Sequence, residues 1–241
     1  LPEESKPQAA ARLASSLERV ILARRAARAD ASAHDTLFAL KTWQAGRFSR
    51  TYADLLAHPR YTDAANFFLT DLYGARDYSQ RDADLGRILP KLKAMLPAAA
   101  LSTLADAVEL DALSEDLDAA LARHLPDAMI TEARYAEGYR RCANRTQREH
   151  QIALVRHIGD ALDRLTRVPM LDTTLRLMRG PARLAGLENL QDFLERGFVA
   201  FRRMRGAAPF LDAIERRETR LLEHLFEGNP TPFADLGSLL S

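Results

Sequence analysis

The chain has 241 residues, 47% hydrophobic and 28% charged, and its 34 basic side chains nearly balance 33 acidic ones. That apolar content excludes a disordered tail, and a net charge of +1 argues against a dedicated nucleic-acid binder, which carries a marked basic excess. A single cysteine, Cys142, fits a reducing, cytoplasmic compartment, and no apolar run reaches the ~18–20 residues of a membrane span.

The pattern from the N-terminus onward is helical. Leu13, Leu17, Val20 and Ile21 fall at i, i+4, i+7 and i+8, one apolar stripe, with Pro7 suited to the first turn. A second helix carries Leu37, Leu40, Phe48, Tyr52 and Leu55 and ends near His58-Pro59. A third is expected from Thr62 as N-cap through Phe68, Leu69, Leu72 and Tyr73 to Gly74, and a fourth over Leu85, Ile88, Leu89 and Leu92. Pro97 opens an alanine-rich helix over Leu101 to Val108, and Ser114 is expected to cap a separate one holding Leu117 and Leu121. Thr131 starts a long polar segment reaching about Val168. Pro169 and Gly180-Pro181 then set two shorter helices apart from a strong one with Phe193, Phe198, Phe201 and Met204. The last helix, Pro209 to Glu227, stops at Gly228-Asn229-Pro230. Strand-like alternation, fixed repeats and Pro/Gly/Ser-rich linkers are all absent. The expected fold is therefore all-α, a single-domain bundle of about eight to ten helices over residues 1–229. Residues 230–241 read as a loosely attached tail.

Two passages offer candidate binding residues. The first runs from Phe67 to Asp82 and alternates in charge sign, so that Asp71 and Asp77 are candidate ligands while Arg76 and Arg81 are candidate anion clamps. Helix punctuation, with Gly74 as a C-cap and Asp77–Gln80 as a capping box, accounts for the same residues more simply. The string FFLxDLYGxxDxxxRD over residues 67–82, with Trp43, Pro59-Arg60-Tyr61 and Gly197-Phe198-x-Ala200-Phe201-x-x-Met204, resembles an uncharacterised family of proteobacterial helical proteins. That resemblance implies a cytoplasmic bacterial protein and brings no activity with it.

The second passage, Arg134 to Arg183, holds eleven arginines against five acids, a local charge of +6. Arg141, Arg145 and Arg148 project to the side of Ile152 and Val155, whereas Tyr135, Tyr139 and Cys142 form a stripe nearly opposite. Either a break near Asn144 resets the helical phase and leaves the arginines solvated, or the arginines enter a groove that would bind an anion. The break is favoured, because Asn is poor inside a helix. Cys142 beside Arg140 and Arg141 invites a lowered thiol pKa.

His34, His58, His124, His150, His157 and His224 are scattered and match no metal motif, and neither a phosphate loop nor a nucleophile elbow is present. No cofactor is therefore assigned. These features favour a non-enzymatic binding or regulatory protein that engages a protein partner or a small anionic ligand through its arginine-rich face. The alternative is an interhelical pocket for a small ligand or a cofactor such as haem or a metal, with an enzyme among its forms. Phe193, Phe198, Phe201 and Phe226 would serve a core or a homodimer seam, the core being favoured.

Overall fold

In the computed structural model the described residues are 4–29, 31–72, 90, 98–184 and 188–236. They form ten α-helices and no strand. Small residues at helical spacing bring α1 (Lys6–Ala29) and α5 (Ala98–Ala122) together. Ala9, Leu13, Leu17 and Val20 of α1 meet Leu101, Ala105, Val108 and Ala112 of α5 in one buried cluster. Arg12 pairs with Asp106 and Glu109, and Arg24 with Asp111 and Glu115, so the register advances in the same direction and the two helices run parallel.

Between them in sequence, α2 (Ala31–Thr51) breaks at Tyr52 and is followed by the short helices α3 (Ala53–Ala57) and α4 (Thr62–Phe67). Thr62 is the first residue of α4 and not its cap; its hydroxyl donates back to the Leu56 carbonyl. The chain then widens into one π-helical turn, Phe68–Leu72. The expected fourth helix over Leu85 to Leu92 lies outside the described residues.

One continuous α5 stands where two helices were expected. Ser114 sits inside it, its hydroxyl donating to the Leu110 carbonyl at 2.7 Å and accepting from Gln151 Nε2 at 2.8 Å. Once satisfied this way the side chain no longer competes for the helix backbone. After α5 come α6 (Glu132–Arg141), α7 (Arg145–Leu165), α8 (Leu171–Leu184), α9 (Glu188–Met204) and α10 (Ala208–Glu227). Thr131 caps α6 by accepting from the Arg134 amide, and Gly228 ends α10 in the left-handed conformation. α8 runs straight through Gly180-Pro181. The carbonyl that loses its partner to Pro181 belongs to Leu177, a residue 73% exposed on the solvent side of the helix.

Several of the resemblance residues share one structural task, while Trp43 packs elsewhere, against Tyr135 and Phe233. Phe67 packs against α9, where a Cβ on Gly197 would lie 2.8 Å from its ring. Phe67, Phe201, Met204 and Phe210 are buried in a single cluster, with Phe68 and Phe193 against it. Arg60 donates to the carbonyls of Met204 (2.5 Å) and Gly206 (2.9 Å), closing the C-terminus of α9. Beyond α10, Phe233 lies edge-on to Trp43 at 5.6 Å and Leu236 is buried, so the described part of residues 230–241 is tied to the bundle.

Candidate functional site

One stripe from each of several helices converges on a cavity of about 110 Å³. α2 contributes Gln44, Arg47 and Phe48; α5 contributes Ser114 and Asp118; α6 contributes Tyr135 and Tyr139. α7 adds Arg148, Gln151, Ile152 and Val155, and α10 adds Phe210, Ile214, Glu218 and Leu221. Phe68 and Leu69 of the π turn complete an apolar end, the kind of place where π turns often mark function. Four charged side chains, Arg47, Asp118, Arg148 and Glu218, stand at core positions of these stripes, beside the polar Gln44, Ser114 and Gln151.

These four charges are not equivalent. Arg47, 5% exposed, binds both oxygens of Glu218 at 2.5 and 3.1 Å, and the Tyr52 hydroxyl donates to the same carboxylate at 2.6 Å. Burial opposes the charge on Arg47, and the Glu218 carboxylate more than offsets it, holding the guanidinium pKa above its ordinary value. Tyr52 is pushed well above its ordinary value by burial and by the same carboxylate.

Arg148 is also 5% exposed but pairs with no carboxylate among the described residues. Its contacts are a long hydrogen bond from Nη2 to the Leu117 carbonyl, 3.4 Å, and the face of Tyr139, 4.6 Å from the guanidinium carbon. Its Nε is buried without a partner. Asp118, which lines the same cavity, accepts one hydrogen bond, from Gln44 Nε2 at 3.0 Å, and burial pushes its carboxyl above the usual range although Lys41 and Arg148 draw it down. Lys41, the next cation near it, is held by Glu115 at 2.7 Å.

The break at Asn144 explains how Arg148 comes inside. α6 ends at Arg141, Ala143 takes φ +50°, and α7 restarts with a new phase. The arginine face therefore divides. Arg141 and Arg145 are solvated, 61% and 47% exposed, each bound to its own i±4 partner, Glu137 at 2.6 Å and Glu149 at 2.9 Å. Arg148 turns into the bundle. The expectation that a break would leave all three in water is thus corrected at Arg148.

Asp71 lies in the π turn two residues beyond Leu69. Its side chain, together with Arg76, Asp77 and Arg81, lies outside the described residues. The lowered thiol expected at Cys142 is corrected as well, since burial pushes its pKa up more than Arg148 and Arg123 draw it down. Sequence reasoning missed Arg47, Asp118 and Glu218, although a charged residue at a core position of an apolar stripe was the available signal.

No group of three or more His, Cys, Asp or Glu that would hold a metal ion occurs among the described residues, and no histidine lines the cavity. Among the described residues no helix is long and apolar enough to cross a membrane. The family model described as Domain of unknown function (DUF8198) matches residues 23–232. Neither a curated protein nor a solved structure matches the chain.

Proposed function

Because the chain belongs to the DUF8198 family, which is defined by sequence and not by activity, we propose its function from the cavity: it is a non-enzymatic binding protein that holds a small carboxylate at Arg148. The observation that carries this reading is a buried guanidinium with no carboxylate partner among the described residues, whereas Arg47 and Arg217, whose Nε atoms are equally orphaned, each hold an acid. A buried charge without a counter-charge costs several kcal/mol. The Tyr139 face returns only about 2 kcal/mol of that. A ligand carboxylate supplies the bidentate partner that the guanidinium geometry is built for.

The volume sets the ligand's size. A cavity of about 150 Å³ holds benzene, so about 110 Å³ suits a carboxylate with a short aliphatic body, and haem is far too large. Phe48, Phe68, Phe210 and Ile214 provide the apolar wall for that body. Docking of a protein partner on Arg141 and Arg145 is the weaker reading, because both already have carboxylate partners on their own helices. A bacterial, cytoplasmic setting belongs to the same proposal: the lone cysteine suits a reducing compartment, and the bacterial origin rests on the sequence resemblance.

The test is a thermal-shift and calorimetric panel of two- to five-carbon carboxylates, with and without an amino group. At least one should stabilise the protein, Arg148→Met should abolish the effect, and the pair Arg141→Ala, Arg145→Ala should leave it intact. A panel without any stabilising member, or equal stabilisation of Arg148→Met, would overturn the proposal.

A further inference from the structure

The cavity presents a cation and an acid that do not bind each other: Arg148 has no carboxylate partner and Asp118 has no cationic partner among the described residues. Oppositely charged groups that line one buried space form an ion pair when they can reach each other. Here Arg148, which draws the Asp118 carboxyl down electrostatically, donates instead to the Leu117 carbonyl and keeps its Nε unused, while Asp118 accepts from Gln44. Arg47 and Glu218 answer neither, because they are bound to each other and to Tyr52.

Charge balance narrows what fits. Arg47 and Arg148 offset Asp118 and Glu218, so the ionised lining is neutral. A bare carboxylate answers Arg148 but sets a second negative charge beside Asp118, so that its binding has to be accompanied by uptake of a proton. A ligand carrying its own ammonium adds no net charge and answers both unpaired groups at once.

We infer that the ligand is a small zwitterion, an α-amino acid with a short aliphatic side chain, its carboxylate on Arg148 and its ammonium on Asp118. This inference rests on the carboxylate reading above and adds Asp118 as the residue that sets specificity. Gln44 Nε2 holds the acid in place, and the Phe68–Ile214 wall receives the side chain.

Calorimetry on the full chain tests it with matched probes: L-alanine against propanoate and ethylamine, and L-valine against 3-methylbutanoate. The amino acids should bind at least about tenfold more tightly than their matched carboxylates, a difference of ~1.4 kcal/mol. Asp118→Asn should lose about that factor for the amino acids and leave the carboxylates unchanged or tighter. If propanoate binds the wild type as tightly as L-alanine, with one proton taken up per ligand in buffers of different ionisation enthalpy, Asp118 serves as a proton acceptor. The zwitterion inference then falls while the carboxylate reading stands. If neither class binds, both fall. The wild-type comparison decides the matter even if the Asp118 variant does not fold.

Discussion

Among the described residues three arginines lie buried in the bundle, and their partners separate structure from function. Arg217, 1% exposed, is committed to an acid: Nη1 donates to the Thr51 carbonyl at 2.8 Å, and Asp54 accepts from both terminal nitrogens at 2.8 and 2.5 Å, while its Nε, like those of Arg47 and Arg148, has no partner among the described residues. It fastens α10 to the break between α2 and α3. Arg47 is similarly committed to Glu218, whereas Arg148 is not committed to any acid. Arg217→Met should therefore lower stability by about 2 kcal/mol, a figure reduced for the partial exposure of Asp54. Ligand-free Arg148→Met should leave stability unchanged or raise it by up to ~2 kcal/mol. Urea midpoints of the two variants measure the contrast, and a large loss at Arg148 would mark it as structural.

Asp118 makes a second prediction at this scale. Its native pKa lies above the unfolded value of about 3.9, so between the two values the folded chain holds more protons. Stability on account of this group then falls as pH rises through that window, and the loss is complete above the native pKa. Removing the charge should help where the charge hurts. Ligand-free Asp118→Asn should be more stable than wild type at pH 7, and the gain should shrink towards zero below about pH 4. Denaturation at both pH values checks the sign. Sequence alone showed Arg148 in phase with Ile152, yet it did not reveal which acids shared its surroundings.

Among the elements, helix stripes were legible wherever they were apolar. Leu13, Leu17 and Val20 of α1 and Phe210, Leu221 and Leu225 of α10 are buried as their spacing requires. The reset at Asn144 and the stop at Gly228 were legible too, because both are local backbone events. Continuity was less so. Ser114 looked like a cap and Pro181 like a break, but one is satisfied by α7 and by its own helix, and the other frees the carbonyl of an exposed residue. Crossings were also hidden. At Gly159 a Cβ would come 2.9 Å from Leu211 Cδ1, so α7 and α10 approach only because that side chain is absent. Gly159→Ala should destabilise by about 1–3 kcal/mol despite a helix-propensity gain of ~1 kcal/mol. Chemical denaturation tests this, and a stabilised variant would mean the crossing relaxes freely.

Across the whole molecule, the family match begins at residue 23, inside α1, although the residues before it cover an apolar face. Ala9, Leu13, Leu17 and Val20 close off Leu101, Ala105 and Val108 of α5, and Arg12 gathers Glu4, Asp106 and Glu109 around the seam. Each fully buried aliphatic side chain contributes about 1.5–3 kcal/mol. Removing residues 1–22 should therefore lower the thermal midpoint sharply and drive self-association through the uncovered α5 face. Size-exclusion light scattering and thermal unfolding measure both effects. A monomeric, equally stable truncation would show that α5 repacks without α1.

The sequence by itself determined the all-helical class, most helix ends and the apolar side of each helix, because these depend on residues three or four positions apart. The tertiary structure alone decided that Arg47 meets Glu218 across 171 positions, that Arg148 and Asp118 line one cavity without pairing, and that Arg141 and Arg145 stay in water. A charged residue in an apolar stripe reads the same in sequence whether it faces solvent or the interior. Its role is set by which distant helix packs over it and whether that helix brings a counter-charge.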